Sequence, residues 1–199
     1  ELYQIPPSFW PVSPQFWQNY VQIWTQVPFG RWLLNTFFVT VVSLIGTVIS
    51  ASLVGYSFAR FRYPGRDALF VITLATLMLP IEVQLIPQYL LFKQLGWIGT
   101  FKPLWVPAWF GGAFSIFLLR QFFLGIPREL DEAAMMDGCG PWRIYWKILL
   151  PLSTPVLATA AIFSFIWSYD DFFGPLVYLN DVHRYTVPLA LRTFVDDTG

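Results

Sequence analysis

The sequence predicts an all-α membrane protein, a polytopic helix bundle, and three observations carry that reading. Hydrophobic residues make up 56% of the 199-residue chain and charged residues only 12%, with a mean hydropathy of +0.54, whereas a soluble domain carries about 25% charged residues. No charged residue stands between Arg31 and Arg60, a run longer than the roughly 20 apolar residues needed to cross a bilayer core. Three further long apolar runs follow, each bounded by charged or Pro/Gly-rich turns. The formal net charge of zero gives no reason to expect a nucleic-acid partner. The single cysteine, Cys139, and single histidine, His183, exclude an internal disulfide and any CxxC or histidine-cluster metal site.

In order along the chain, residues 1–30 are rich in proline, Trp and Tyr between polar residues. They read as a segment with short helical pieces, lying at the membrane interface. The chain opens without a methionine and closes on polar residues, so it is expected to be a fragment cut inside loops. Residues 32–59 form the first span, in which Gly46, Ser50 and Gly55 make a small-residue face suited to close helix packing. Arg60, Arg62 and Arg66 surround Pro64-Gly65 in a basic turn. Residues 67–92 form the second span, interrupted by Pro80 and Pro87 with Glu82 and Gln84 between them. An ionisable group at membrane depth points to function; alternatively, Pro80 ends the buried part and leaves Glu82 at the far interface.

The third span covers residues 104–119, loosened by Pro107 and Gly111-Gly112 and closed by Arg120. The fourth covers 152–169, opened by Pro151 and Pro155 and closed by Asp170-Asp171. Residues 176–199 read as a mixed loop with no span of their own. Seven of the 12 basic residues fall on the side of the 120–151 loop, so the positive-inside rule places that loop in the cytoplasm.

Within that loop Pro127 is placed to be the first residue of a short helix, and Glu129, Asp131 and Glu132 suit its first turns. Gly138 stands where a left-handed C-cap belongs, and Gly140-Pro141 breaks the chain before a second helix that runs to Pro151. A polar helix-turn-helix bounded this closely by membrane spans is suited to being gripped by another protein.

This segment resembles the EAA loop of ABC importer permeases. Glu132, Ala133 and Ala134, then three residues, Gly138, nine residues, Ile148, one residue and Leu150-Pro151 match its signature without a gap. The stretches 56–65, 79–83, 117–123 and 171–176 look like the shorter permease subunit of maltose-type carbohydrate importers, so the resemblance covers nearly the whole chain. It implies a type I ABC importer permease with four of an expected six transmembrane helices present, in the cell inner membrane. Residues 1–30 and 170–199 would then be periplasmic, and 120–151 a cytoplasmic coupling loop. The implied partners are ATP-binding subunits, a second permease subunit, a periplasmic or lipid-anchored solute-binding protein, a sugar substrate and membrane lipid. Glu132, Ala133, Ala134, Asp137 and Gly138 would dock on the ATPase, and the outer loop would probe the binding protein's sugar cleft. Cys139-Gly140 departs from the more usual Ala-Ser, a change that should keep the turn.

Asn35, Glu82, Gln84 and Asp170 are polar groups that could line a substrate path. No nucleotide loop of the GxxxxGK[ST] type is present, no cofactor is expected, and ATP hydrolysis would belong to a separate subunit. Three other readings stand beside this one. An ABC permease for a non-sugar solute shares the motif. A secondary transporter would use the Pro- and Gly-broken spans but would leave the EAA spacing unexplained. An intramembrane enzyme would need Glu82 or the Asp170-Asp171 pair as acid and base, yet sequence neighbours do not face each other on a helix.

Overall fold

The computed structural model describes residues 21, 24, 25 and 27–198, so the expectation for residues 1–20 lies outside the described residues. From Phe29 onward the α-helical elements are α1 (Phe29–Arg60), α2 (Arg66–Ala75), α3 (Ile81–Gln94), α4 (Lys102–Trp105), α5 (Ala113–Gly125), α6 (Glu129–Met136), α7 (Pro141–Leu152), α8 (Thr154–Tyr169), α9 (Phe173–Tyr178) and α10 (Val187–Thr198). No strand occurs among the described residues.

α1 is the rod on which the bundle is built. Its 32 residues at a rise of about 1.5 Å each reach roughly 48 Å, well beyond a hydrocarbon core of about 30 Å. Its amphipathicity is inverted relative to a soluble helix. Leu34, Phe37, Phe38, Val41, Ile45 and Ile49 recur at helical spacing on the exposed side, whereas Thr36, Thr40, Ser43 and Ser52 are buried. Small residues inside let helices approach closely where no hydrophobic effect drives them together. The expected packing role of the glycines follows. A Cβ on Gly46 would collide with the Trp109 ring, and one on Gly55 would stand 3.1 Å from Leu119 Cβ and 3.2 Å from the Arg120 backbone nitrogen of α5.

The other spans differ from expectation at their breaks. α2, extended by a 3₁₀ turn (Thr76–Met78), and α3 meet at a 102° bend. Pro80, with ψ 143°, cannot continue the helix, so the second span is two pieces instead of one. Lys102–Gly125 is long and apolar enough to cross a membrane, interrupted at Gly111, whose φ is +84°. α5 runs past Arg120 to Gly125, and the Arg120 guanidinium lies over the Phe70 ring at 3.9 Å. The fourth run starts at Thr154, and α7 meets α8 at 76° around Ser153. The 176–199 stretch is largely helical: it holds the end of α9, a 3₁₀ turn (Val182–Arg184) and α10.

Two apolar clusters close the bundle. The larger surrounds the Arg60 end of α1 and joins Tyr56 and Phe58 to Phe123, Ala134, Tyr145 and Leu149. The smaller packs Trp32 at the Phe29 end against Val187 and Ala190.

Candidate functional site

The 126–153 segment is fixed to the Arg60 end of α1 by side chains. Arg60 and Asp131 form an ion pair, Nε to Oδ2 3.2 Å, with side chains only 6% and 15% exposed. Arg60 Nη2 also donates to the carbonyl of Ile126 at 3.0 Å, and Arg128 Nη2 donates to that of Ala59 at 3.4 Å. The Tyr56 hydroxyl donates to the Pro141 carbonyl at 3.0 Å, and the hydroxyls of Ser52 and Tyr145 lie 2.7 Å apart. Burial pushes the Tyr145 phenol above its ordinary value of 10.0, opposed by its bond to Ser52.

α6 starts at Glu129, two residues later than Pro127 suggests, with Arg128 before it. It ends in a Schellman motif. Cys139 N donates to the Ala134 carbonyl at 2.9 Å and Gly138 N to that of Met135 at 3.0 Å. Gly138 takes φ +76°, while the space around a Cβ there is open, so backbone conformation alone demands glycine. Cys139 packs with Ala134 on the larger cluster, the apolar contact that accompanies such a cap. α7 widens to a π turn at Tyr145–Leu149 before Pro151, which has no N–H to continue the ladder.

Of the residues assigned to docking, Glu132, Ala133, Asp137 and Gly138 are exposed. Ala134 is not. It is buried against the larger cluster and keeps α6 close to the bundle. The outer surface of the segment instead carries Leu130, Met135, Met136, Trp142 and Trp146, with Met136 89% exposed. The ion pair and this apolar face are what residue-type reasoning missed. Asp131 and Ala134 are three apart and share a helix face, so the burial of one marks the other as inward.

The four polar residues assigned to a path are not gathered into one site, and no hydrogen bond or ion pair joins any two of them among the described residues. Asn35 Nδ2 donates to the carbonyls of His183 at 2.9 Å and Tyr185 at 3.0 Å, anchoring the 182–187 loop. Glu82 is exposed in the first turn of α3. Gln84 Nε2 spans the Pro80 bend to the Leu79 carbonyl at 3.0 Å. Asp170 is exposed at the end of α8.

Its neighbour Asp171 is the more enclosed carboxylate. Burial holds its carboxyl above the ordinary 3.8, against the pull of backbone N–H groups of Gly174 and Phe173, and Gly174 N donates to Oδ1 at 3.0 Å. Asp-Phe-Phe-Gly ahead of a helix is the sequence signal for that cap. Among the described residues no group of His, Cys, Asp and Glu could hold a metal ion.

Comparison with known proteins gives this arrangement a family. The profile described as "Binding-protein-dependent transport system inner membrane component" matches residues 51–196. The sn-glycerol-3-phosphate transport system permease protein UgpE of Yersinia enterocolitica is 32% identical, covering 100% of this chain and 72% of its own. The arabinooligosaccharides transport system permease protein AraQ of Halalkalibacterium halodurans is 33% identical over 91% of this chain and 65% of its own. UgpE of Rhizobium meliloti is 40% identical over 86% and 61% respectively. The chain thus spans from 61% to 72% of the length of these relatives. A crystal structure of a bacterial ABC transporter involved in the import of the acidic polysaccharide alginate superposes with a TM-score of 0.78 at 26% identity, over 90% of this chain and 61% of that one. The helical bundle is therefore a transport permease fold, and the chain belongs to the family of binding-protein-dependent transport system inner membrane components.

Proposed function

We propose that this chain is the membrane-spanning part of a permease subunit in an ATP-driven importer for a carbohydrate. It crosses the inner membrane several times and works with a second permease subunit, separate ATP-hydrolysing subunits and a solute-binding protein. The Arg60 end of α1 faces the cytoplasm, and the 126–153 segment enters a cleft on an ATPase subunit. Glu132, Ala133, Asp137 and Gly138 lie on the docking side of that segment, with Ala134 bracing it from behind.

One observation carries this reading. A segment fixed to the bundle by a nearly buried ion pair presents Met136 almost fully, and Trp142 by two thirds, to the outside. A rigid lever with an exposed apolar tip transmits a movement of whatever grips it, which couples two distant sites through one element. The carbohydrate assignment draws on the arabinooligosaccharide relative and the alginate importer.

The test is affinity purification of the full-length protein from native membranes, alongside Met136→Arg and Trp142→Arg variants. An ATP-hydrolysing subunit is expected with the parent and is lost with both variants. Its retention by both would reject this docking face, and its absence from the parent would reject the importer reading itself.

A further inference from the structure

The 126–153 segment carries two halves of opposite charge. From Glu129 to Asp137 it holds four carboxylates and no cation, whereas from Gly138 to Tyr169 there is no carboxylate and the only cations are Arg143 and Lys147 of α7. The importer reading gives α6 a partner and leaves the outer face of α7 beyond Trp142 without one.

α7 is amphipathic. Ile144, Tyr145 and Leu149 are buried in the larger cluster, and Arg143, Trp146 and Lys147, at i, i+3 and i+4, share the outer face. Trp146 is 58% exposed, its ring edge-on to that of Tyr145 at 5.2 Å. The side chains of Arg143 and Lys147 are exposed and make no hydrogen bond or ion pair among the described residues. Other cations of this side are engaged: Arg60 and Arg66 pair with carboxylates, Arg128 reaches the Ala59 carbonyl and Arg120 lies on Phe70.

The level of α7 follows from α1. A hydrocarbon core of about 30 Å takes up roughly 20 helical residues, so a core centred on the 32 residues of α1 ends at about residue 54. Tyr145 meets α1 at Ser52 and Pro141 meets it at Tyr56, on either side of that boundary. α7 then joins α8 at 76° instead of continuing its line. Past Lys147 no charged residue follows until Asp170, and Leu152, Ile162 and Ile166 stand exposed on the way, a surface fit for acyl chains. An indole at the edge of the core settles at headgroup level, and free Lys and Arg beside it attract anionic lipid.

We propose that the outer face of α7 binds an anionic phospholipid of the leaflet on the Arg60 side, with Arg143 and Lys147 on its phosphate and Trp146 beside its glycerol. A protein gripping the whole segment would have to match the carboxylates of α6 and the cations of α7 side by side. A lipid matches α7 alone, and its chains continue onto α8. The inference takes from the family its place in a membrane and does not depend on the docking of α6.

The test uses the full-length protein, purified in detergent and delipidated, with binding of phosphatidylglycerol and of phosphatidylcholine of equal chain length followed by native mass spectrometry. The parent should bind phosphatidylglycerol at the lower concentration. Arg143→Gln with Lys147→Gln should raise that concentration about thirtyfold, from about fivefold for each cation, and leave phosphatidylcholine unchanged. Arg62→Gln, on the same side but off α7, should have no effect, and inorganic phosphate should not compete because it has no chains. Equal binding of the two lipids by the parent, or undiminished phosphatidylglycerol binding by the double variant, would overturn the proposal. An equal loss with Arg62→Gln would remove the site from α7, and displacement by inorganic phosphate would make it a site for a free anion. Purified from native membranes, the double variant should unfold at the parent's temperature and retain the ATPase subunit. Loss of that subunit from a variant of unchanged stability would assign this face to the ATPase instead of lipid.

Discussion

The two ends of α1 are held in different chemical languages. At the Arg60 end, side chain also meets side chain: Arg60 with Asp131, Ser52 with Tyr145, and the Tyr56 ring tilted against that of Tyr145 at 5.0 Å between ring centres. At the Phe29 end the hydrogen bonds of α1 address only the backbone of its partner. Trp32 Nε1 donates to the Val182 carbonyl, Asn35 to those of His183 and Tyr185, and Thr36 Oγ1 accepts from Val187 N. The first latch depends on the identity of residues on both sides. The second sets side chains of α1 against the backbone of the loop, while Tyr185 packs on the smaller cluster and Asp181 and Arg184 pair within the loop. One helix thus joins two attachments of different chemistry.

The largest test of this contrast is Arg60→Ala. It leaves Asp131 enclosed without its cation, and removing one member of a nearly buried pair should cost about 3 kcal/mol. Thermal unfolding of the full-length protein in detergent is expected to show this loss, with 126–153 becoming the first site of proteolysis. The double replacement Arg60→Met with Asp131→Leu should lose less than either single change. At the other end, Asn35→Ala removes two bonds and leaves two carbonyls to find other donors, a cost of about 2 kcal/mol. Its proteolysis should start in 181–186, whereas Ala replacements of His183 or Tyr185 should leave the hydrogen-bonded latch in place. If Arg60→Ala instead loosens the outer loop first, the two ends are not separate latches.

A smaller change probes the turn between α6 and α7. Gly138→Ala meets no steric obstacle but must adopt φ +76°, costing about 1 kcal/mol. Asn, which tolerates that conformation, should recover part of it. Loss of ATPase capture by Gly138→Ala but not by Gly138→Asn would tie docking to the turn's geometry; equal capture by both would leave the turn with a structural role alone.

The inner latch was half legible in the sequence. Gly138 announces its turn because only a residue without Cβ takes that φ cheaply, and the Gly46–Gly55 face announces close packing because small residues are what membrane helices bury. Charge was harder to place. Asp131 carries the same side chain as its exposed neighbours, and only the spacing to Ala134 reveals that it turns inward to Arg60. A lone cation such as Arg120 marks the end of an apolar run, and nothing in the sequence says that α5 continues past it or that the Phe70 ring lies under its guanidinium. Asn35, Glu82, Gln84 and Asp170 were grouped by polarity, and polarity does not say which groups are already satisfied by a backbone carbonyl. The helices that begin at Phe173 and Val187 leave little sign in the sequence, because they are short and lack the long apolar run that marks a span.

The finest distinction between the two ends is a dependence on pH that belongs to the outer one. Asp171 caps the start of α9, and burial raises its carboxyl above the ordinary 3.8. The folded protein therefore holds that proton more tightly than the unfolded chain does. Its stabilising contribution is fully present below the ordinary value and is lost as pH rises through the raised one. Asp171→Asn keeps an oxygen to accept the Gly174 N–H and removes the titration. Burial and the charge of Asp171 also hold the Tyr178 phenol above its ordinary 10.0, so that group stays neutral throughout the acidic window. The difference between the melting curves of parent and variant, followed upward from pH 3.8, should favour the parent at the acid end and move toward the variant as the carboxyl ionises. Proteolysis of the 172–186 stretch should follow the same course. Parallel curves would mean that the carboxyl is already satisfied as an anion, and the cap of α9 would then carry no dependence on pH.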